Sequence, residues 1–175
     1  MPSPAHPFNV LILCTGNSAR SILAEALFNH LGAGKFQAYS AGSHPAGQVQ
    51  PLALELLKSL GLPVDGLRSK SWDEFAAADA PVMDFIITVC DNAAGEVCPH
   101  WPGTPVSAHW GFPDPAAVQG STDQQRTAYA HVLHGLCNRI RQFASLPLES
   151  LDALAIKHEM DRIGSTPVDT TEHAQ

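Results

Sequence analysis

Basic residues are scarce and scattered in this chain. Ten lysines and arginines stand against seventeen aspartates and glutamates, a formal net charge of −7 over 175 residues. With no basic cluster, neither a nucleic-acid nor an anionic-membrane partner is expected, and any anion site must be built locally against the overall field. No run approaches the ~20 apolar residues of a membrane span. The opening MPSPAHPFNVLIL has no basic stretch before its short apolar run, so it does not read as a signal peptide. A cytoplasmic protein is the expectation. Internal repeats are absent too. Four cysteines in a reducing compartment argue against a disulfide framework and for catalysis, redox work or metal binding.

The chain is 45% hydrophobic and 15% charged. That suits one domain able to bury about 70% of its unfolded surface. We expect tails at 1–7 and 165–175, a main domain at 8–146 and a helical extension at 147–164. Phe8 to Leu13 reads as a buried strand, and Ile22, Leu23, Ala26, Leu27 and Leu31 as one face of a helix. A second strand ends in QAYSAG, with Gly42 as its stop. Leu52, Leu56, Leu57 and Leu60 form a helical stripe ended by Gly61 and Pro63. SWDEFAA reads as a short helix, MDFIITV as a strand carrying Cys90 at its end, and TPVSAHW as a fourth strand. The longest helical pattern holds Tyr129, Val132, Leu133, Leu136, Cys137, Ile140 and Phe143. LESLDALAIKHEMDRIG reads as one more helix. Alternating β and α elements predict a parallel sheet covered on both faces, with ligands at the C-terminal strand ends, where Cys14 and Cys90 fall.

CTGNSARS, residues 14–21, follows a strand and opens a helix. Gly16 and Asn17 tolerate positive φ, so successive backbone N–H groups can turn inward as an anion-binding nest. The helix N-terminus adds a positive dipole end, and Arg20 supplies a planar charged fork suited to a tetrahedral oxyanion. The same features are expected to lower the Cys14 pKa and favour the attacking thiolate. A nucleoside-triphosphate loop is excluded because its GK[ST] ending is missing.

In Cys14, Thr15, Gly16, Asn17, Ser18, Ala19, Arg20 and Ser21 the chain resembles the low-molecular-weight protein tyrosine phosphatase superfamily. The resemblance implies an α/β fold, a four-stranded parallel sheet flanked by helices. It also implies Cys14 as nucleophile, Arg20 as oxyanion clamp and Ser21 as a hydroxyl stabilising the thiolate. That family's general acid is an aspartate in an Asp-Pro pair, matched by Asp114 and Pro115 in HWGFPDPAAVQG. Such an acid protonates the departing oxygen.

Phosphate and arsenate are near-identical tetrahedral anions, so the loop alone cannot separate a phosphatase from a reductase. ITVCDNAAGEVCPHWPG adds Cys90 and Cys98. A phosphatase has no use for two further thiols there, whereas a reductase draws electrons from them. This stretch, with AHWGFPDPA, resembles the thiol-dependent arsenate reductases built on the same fold, over roughly residues 8 to 145. Tyrosine phosphatases of this fold usually carry an aromatic residue after Asp-Pro, and here Ala116 stands in that place.

The implied mechanism is a relay. Cys14 attacks arsenate, Cys90 attacks Cys14 and releases arsenite, and Cys98 moves the disulfide onward to an external reductant. The Asp91–Val97 segment must then move, with Gly95 as its hinge. Seven residues separate Cys90 from Cys98, one more than in the best-known thioredoxin-coupled members that the stretch resembles, so thioredoxin, glutathione with glutaredoxin, and mycothiol all stand open as donors. A monomer is expected.

Two alternatives stand beside this. A low-molecular-weight phosphotyrosine phosphatase would leave Cys90 and Cys98 incidental. A thiol or zinc sensor would use Cys90, Cys98, His100 and His109, although C-x7-C-x-H-x8-H matches no common finger. Cys137 sits on an apolar stripe and reads as a buried core thiol, and Trp72, Trp101 and Trp110 read as packing residues. No tightly bound cofactor is expected. Certain reductases of this type hold a potassium ion behind the loop, and Asn17, Glu25, Ser40 and Asp73 fall where its hard oxygen ligands would lie. Ordinary hydrogen bonding by the same residues is the open alternative.

Overall fold

The computed structural model describes residues 7–90, 101 and 103–166. Strands β1 (Phe8–Leu13), β2 (Phe36–Ala41), β3 (Phe85–Thr88) and β4 (Val106–His109) form one sheet in the order β2-β1-β3-β4. Every pairing is parallel, with Leu11 opposite both Tyr39 and Ile86. Helices α1 (Arg20–Leu31), α2 (Pro51–Ser59), α3 (Asp73–Ala76), α4 (Thr122–Ala144) and α5 (Ala153–Gly164) complete the fold, with a 3-10 turn at Pro115–Ala117. The expected four-stranded parallel α/β architecture is the one found.

Side chains alternate across a strand, so β1 feeds two cores. Val10 and Ile12 join Phe36, Ala38, Phe85 and Ile87 against α1, α4 and α5. Leu11 and Leu13 join Ala41, Ile86, Phe75, Met83 and Trp101 on the opposite face. The first face carries the long helices and most of the aromatic packing, including Phe28, Phe143 and Trp110 at centroid separations of 5.8 to 6.2 Å. The second is covered by short α3 and by Trp101, which packs edge-on to Trp72 at 6.4 Å. All three tryptophans are packing residues, as expected. Among the described residues no helix is long and apolar enough to cross a membrane.

Two element boundaries and the burial of one cysteine differ from expectation. Strand β3 ends at Thr88, so Cys90 lies two residues beyond it rather than on it. The terminal helix starts at Ala153 rather than Leu148, because the Asp152 side chain accepts the Ala155 N–H as an N-cap. Cys137 is half-buried rather than buried, at the margin of the main core. Helix α5 buries Ile156, Met160 and Ile163 and lies along the edge strand β4, masking backbone that an open sheet would expose.

Candidate active site

The Cys14–Ala19 loop leaves β1 at the C-terminal edge of the sheet and enters α1 at Arg20. Its carbonyls are taken from outside. Thr15 O accepts from His44 N, Gly16 O from Ala46 N and Ser69 Oγ, and Ser18 O from Gln50 N. With the carbonyls held from outside, the Gly16 N–H acts on the Cys14 thiol, while the Thr15 N–H is taken by Cys90. Asn17 sits at φ 45°, the only non-glycine residue with positive φ among those described. Fully buried, it donates to Ser21 Oγ at 2.7 Å and Ser40 Oγ at 3.0 Å and accepts the Lys70 N–H at 2.9 Å. Those three bonds hold a conformation that Asn tolerates better than most residues. Because Ser21 Oγ accepts from Asn17, its own O–H remains a donor for a second partner.

Gly42 also builds the site. A Cβ there would collide with the Thr15 and Cys14 carbonyls and press on Asn17, so only glycine lets β2 end this close to the loop. The sequence marks Gly42 only as a strand stop.

Cys14 and Cys90 are both free thiols, both buried, and hydrogen-bonded to each other. Cys90 Sγ also accepts the Thr15 N–H at 3.3 Å. The expectation of a lowered Cys14 pKa is not met in this arrangement. The hydrogen bond with Cys90, and then burial, push the Cys14 thiol far up, while Arg20 and the Gly16 N–H pull it down. The loop does what its residues predict, but a second sulfur 76 positions along the chain outweighs it.

Arg20 reaches across to the loop after β4. Its Nη1 donates to Phe112 O at 2.9 Å, and its Nη2 lies 3.8 Å from Asp114 Oδ2. Its Nε is buried with no hydrogen-bond partner among the described residues. A buried guanidinium N–H left unpaired is unfavourable, and an oxyanion in the loop would satisfy it. Asp114 Oδ1 accepts the Ala116 N–H at 2.9 Å, which leaves Oδ2 on the Arg20 side. Ala116 is exposed and offers no ring. Cys98, His100 and Gly95 lie outside the described residues. Among those described, no group of three or more His, Cys, Asp or Glu side chains could hold a metal ion.

Behind the loop, Asn17, Ser40 and Glu25 form one hydrogen-bonded chain, Ser40 Oγ donating to Glu25 Oε1. Lys70 Nζ stands 3.7 Å from that carboxylate, and both groups are largely buried. Burial pushes the Glu25 carboxyl up while Lys70 pulls it down, and burial pushes the Lys70 ammonium down. Of the oxygens proposed for a potassium ion, those of Glu25 face the Lys70 ammonium, Asn17 Oδ1 is taken by the Lys70 backbone N–H, Ser40 Oγ is spent on Glu25 and Asn17, and Asp73 is exposed at the start of α3. This set does not fit a second cation, and no step below is routed through one. Lys70 carries no sequence signal for this place, because only the tertiary fold brings it to Glu25.

A buried thiol at the start of the loop, a guanidinium with an unpaired donor and a carboxylate at its edge lie together on an α/β fold, the arrangement expected around a tetrahedral oxyanion. Residues 9–157 match the low molecular weight phosphotyrosine protein phosphatase family, and the chain belongs to it. The arsenate reductase of Halalkalibacterium halodurans is 33% identical over 135 residues, 77% of this chain and 94% of that protein. The crystal structure of an arsenate reductase from Archaeoglobus fulgidus is 30% identical, with a TM-score of 0.61 over 78% of this chain and 99% of that one. A thioredoxin-dependent arsenate reductase from Corynebacterium glutamicum is 25% identical, with a TM-score of 0.56 over 78% of this chain and 60% of its own.

Proposed function

We propose that this chain reduces arsenate to arsenite, with Cys14 as the attacking sulfur and Cys90 as the second. The observation that carries the reading is the hydrogen-bonded Cys14–Cys90 thiol pair at the mouth of an oxyanion loop. The similarity to proteins named arsenate reductase supports it.

Arsenate enters the nest and takes the Thr15 N–H from Cys90, while its oxygens satisfy Arg20 Nε. Cys14 sulfur bonds to arsenic. The thiol proton and one arsenate hydroxyl leave together as water, with Asp114 carrying the proton to the departing oxygen. Cys90 thiolate then attacks Cys14 sulfur. An S–S bond forms, the S–As bond breaks, and its electron pair stays on arsenic, which departs as arsenite. Cys98 thiolate attacks Cys90, freeing Cys14 and passing the disulfide on. An external dithiol or glutathione system reduces it, and the Corynebacterium relative makes a thioredoxin-type donor the first to test. A cycle that ends with oxidised cysteines needs a reducing compartment, in keeping with a cytoplasmic site.

Steady-state arsenate reduction with a thioredoxin system tests this, comparing wild type with Cys90→Ser and Cys98→Ser. The relay requires both variants to lose turnover, and unchanged rates in both would sink it. Fast hydrolysis of a phosphotyrosine mimic without arsenate reduction would favour the phosphatase alternative, against which the small, exposed Ala116 already stands.

A further inference from the structure

Arg139 lies on helix α4, 4% exposed, and no carboxylate among the described residues pairs with it. Burial lowers its pKa with no neighbouring charge opposing the shift. An isolated buried cation is strongly unfavourable unless its donors are well used. Here they are spent on backbone. Nη1 donates to Gly111 O at 3.1 Å and Nη2 to Thr166 O at 2.7 Å. The guanidinium also lies 4.5 Å from the centroid of the Phe112 ring.

Both contacts on the first side belong to the loop that holds Arg20. Phe112 N–H donates to Val89 O, and Phe112 O receives Arg20 Nη1. Asp114 follows two residues later. The contact on the other side is Thr166, two residues past the end of α5 and beyond the residues 9–157 that match the family. That end is seated closely. The Trp110 indole N–H donates to Met160 O at 3.0 Å. A Cβ on Gly164 would meet His109 O at 2.5 Å and the Trp110 ring at 2.7 Å.

We propose that Arg139 is a positioning residue for the oxyanion site. By tying the Gly111 carbonyl and the Phe112 ring to Thr166, just past the end of α5, it sets the carbonyl that orients Arg20 and so the direction of Arg20's unpaired Nε. Two carbonyls and a ring face call for a planar fork with several donors, which lysine does not supply. The inference rests on reading Cys14–Ser21 as an oxyanion loop, but not on electron transfer.

The test uses full-length Arg139→Lys and Arg139→Met with inorganic phosphate as probe, read as protection of Cys14 from iodoacetamide. Thermal unfolding and the kcat and KM for arsenate are measured alongside, and core variant Leu62→Ala serves as a stability control. We expect phosphate to bind about tenfold more weakly in Arg139→Met, with lysine in between, since small displacements of a binding group have large effects. KM should rise with it, and Leu62→Ala should lose stability but keep wild-type phosphate affinity. Wild-type affinity in the folded arginine variants would overturn the proposal, leaving Arg139 a structural tie alone.

A second measurement needs no variant. If the end of α5 and the oxyanion site are coupled, phosphate binding to wild type must slow amide exchange at Ile163 and Gly164. Unchanged exchange there would overturn the proposal too. Loss of the reductase reading would show instead as absent arsenate turnover in wild type, with the phosphate comparison still intact.

Discussion

At Arg20 two loops meet that were built by different means. The Cys14–Ser21 loop draws its thiol, its amides and its guanidinium from eight consecutive residues. The loop from Gly111 to Ala117 is held from a distance: Arg139 grips it from 28 residues away, and the Trp110 indole at its start is fixed to Met160, 50 residues on. The first arrangement is local chemistry that a short motif can encode. The second exists only once α4 and α5 have packed on the sheet. A site made of both halves has a reactive centre set by sequence-local geometry and a binding direction set by the whole fold.

The largest effect tests the local half. Cys14→Ser should lower arsenate reduction more than ~10³-fold, because a hydroxyl cannot replace the attacking and oxidisable sulfur. Asn17→Ala should come next. It strands buried partners at Ser21, Ser40 and Lys70 and forces a positive φ on alanine, for a loss of about 2–4 kcal/mol in urea unfolding. Asp114→Asn tests the distant half. If Asp114 is the general acid proposed above, the substitution should lower kcat by ~10²-fold while leaving phosphate affinity close to wild type.

A smaller effect separates the loop's own influence on Cys14 from that of Cys90. The folded chain holds the Cys14 proton above the ordinary thiol value of 9.0. Between that value and the folded one the unfolded chain binds fewer protons, so stability falls as pH rises. The contribution is complete below about pH 9 and is lost progressively above it. Cys90→Ala removes the largest cause of the upward shift. Iodoacetamide should then label Cys14 faster at pH 8, by about tenfold, and the alkaline loss of stability should shrink. The smallest effect is a control remote from both loops. Ser121 caps α4 by accepting the Gln124 N–H, and Ser121→Ala should lose about 1 kcal/mol with phosphate binding unchanged.

The same contrast explains what could be read in advance. Strand and helix patterns, the loop and Asp114 were legible because period and motif are local properties. The two-sided cover of the sheet was legible too, since β1 is apolar on both faces. Gly42 was visible as a glycine, but its need to pass the Cys14 and Thr15 carbonyls was not. Lys70 beside Glu25, the Arg139 clamp and the raised Cys14 pKa are contacts between residues far apart in sequence. Periodicity does not report such contacts. Sequence reasoning placed Cys90 correctly at the sheet's C-terminal edge and still missed what its sulfur does to Cys14.

The central claim is that Cys90 takes over from Cys14 once arsenic is bound. Full-length Cys98→Ser, reduced and freed of thiols, is mixed with one equivalent of arsenate. Digestion without reductant is followed by mass spectrometry, and arsenite is quantified in parallel. The account predicts one arsenite per chain and a single peptide pair joined through Cys14 and Cys90, lighter by two hydrogen atoms. Arsenite release with Cys90 still a free thiol, or a disulfide through Cys137 instead, would contradict it.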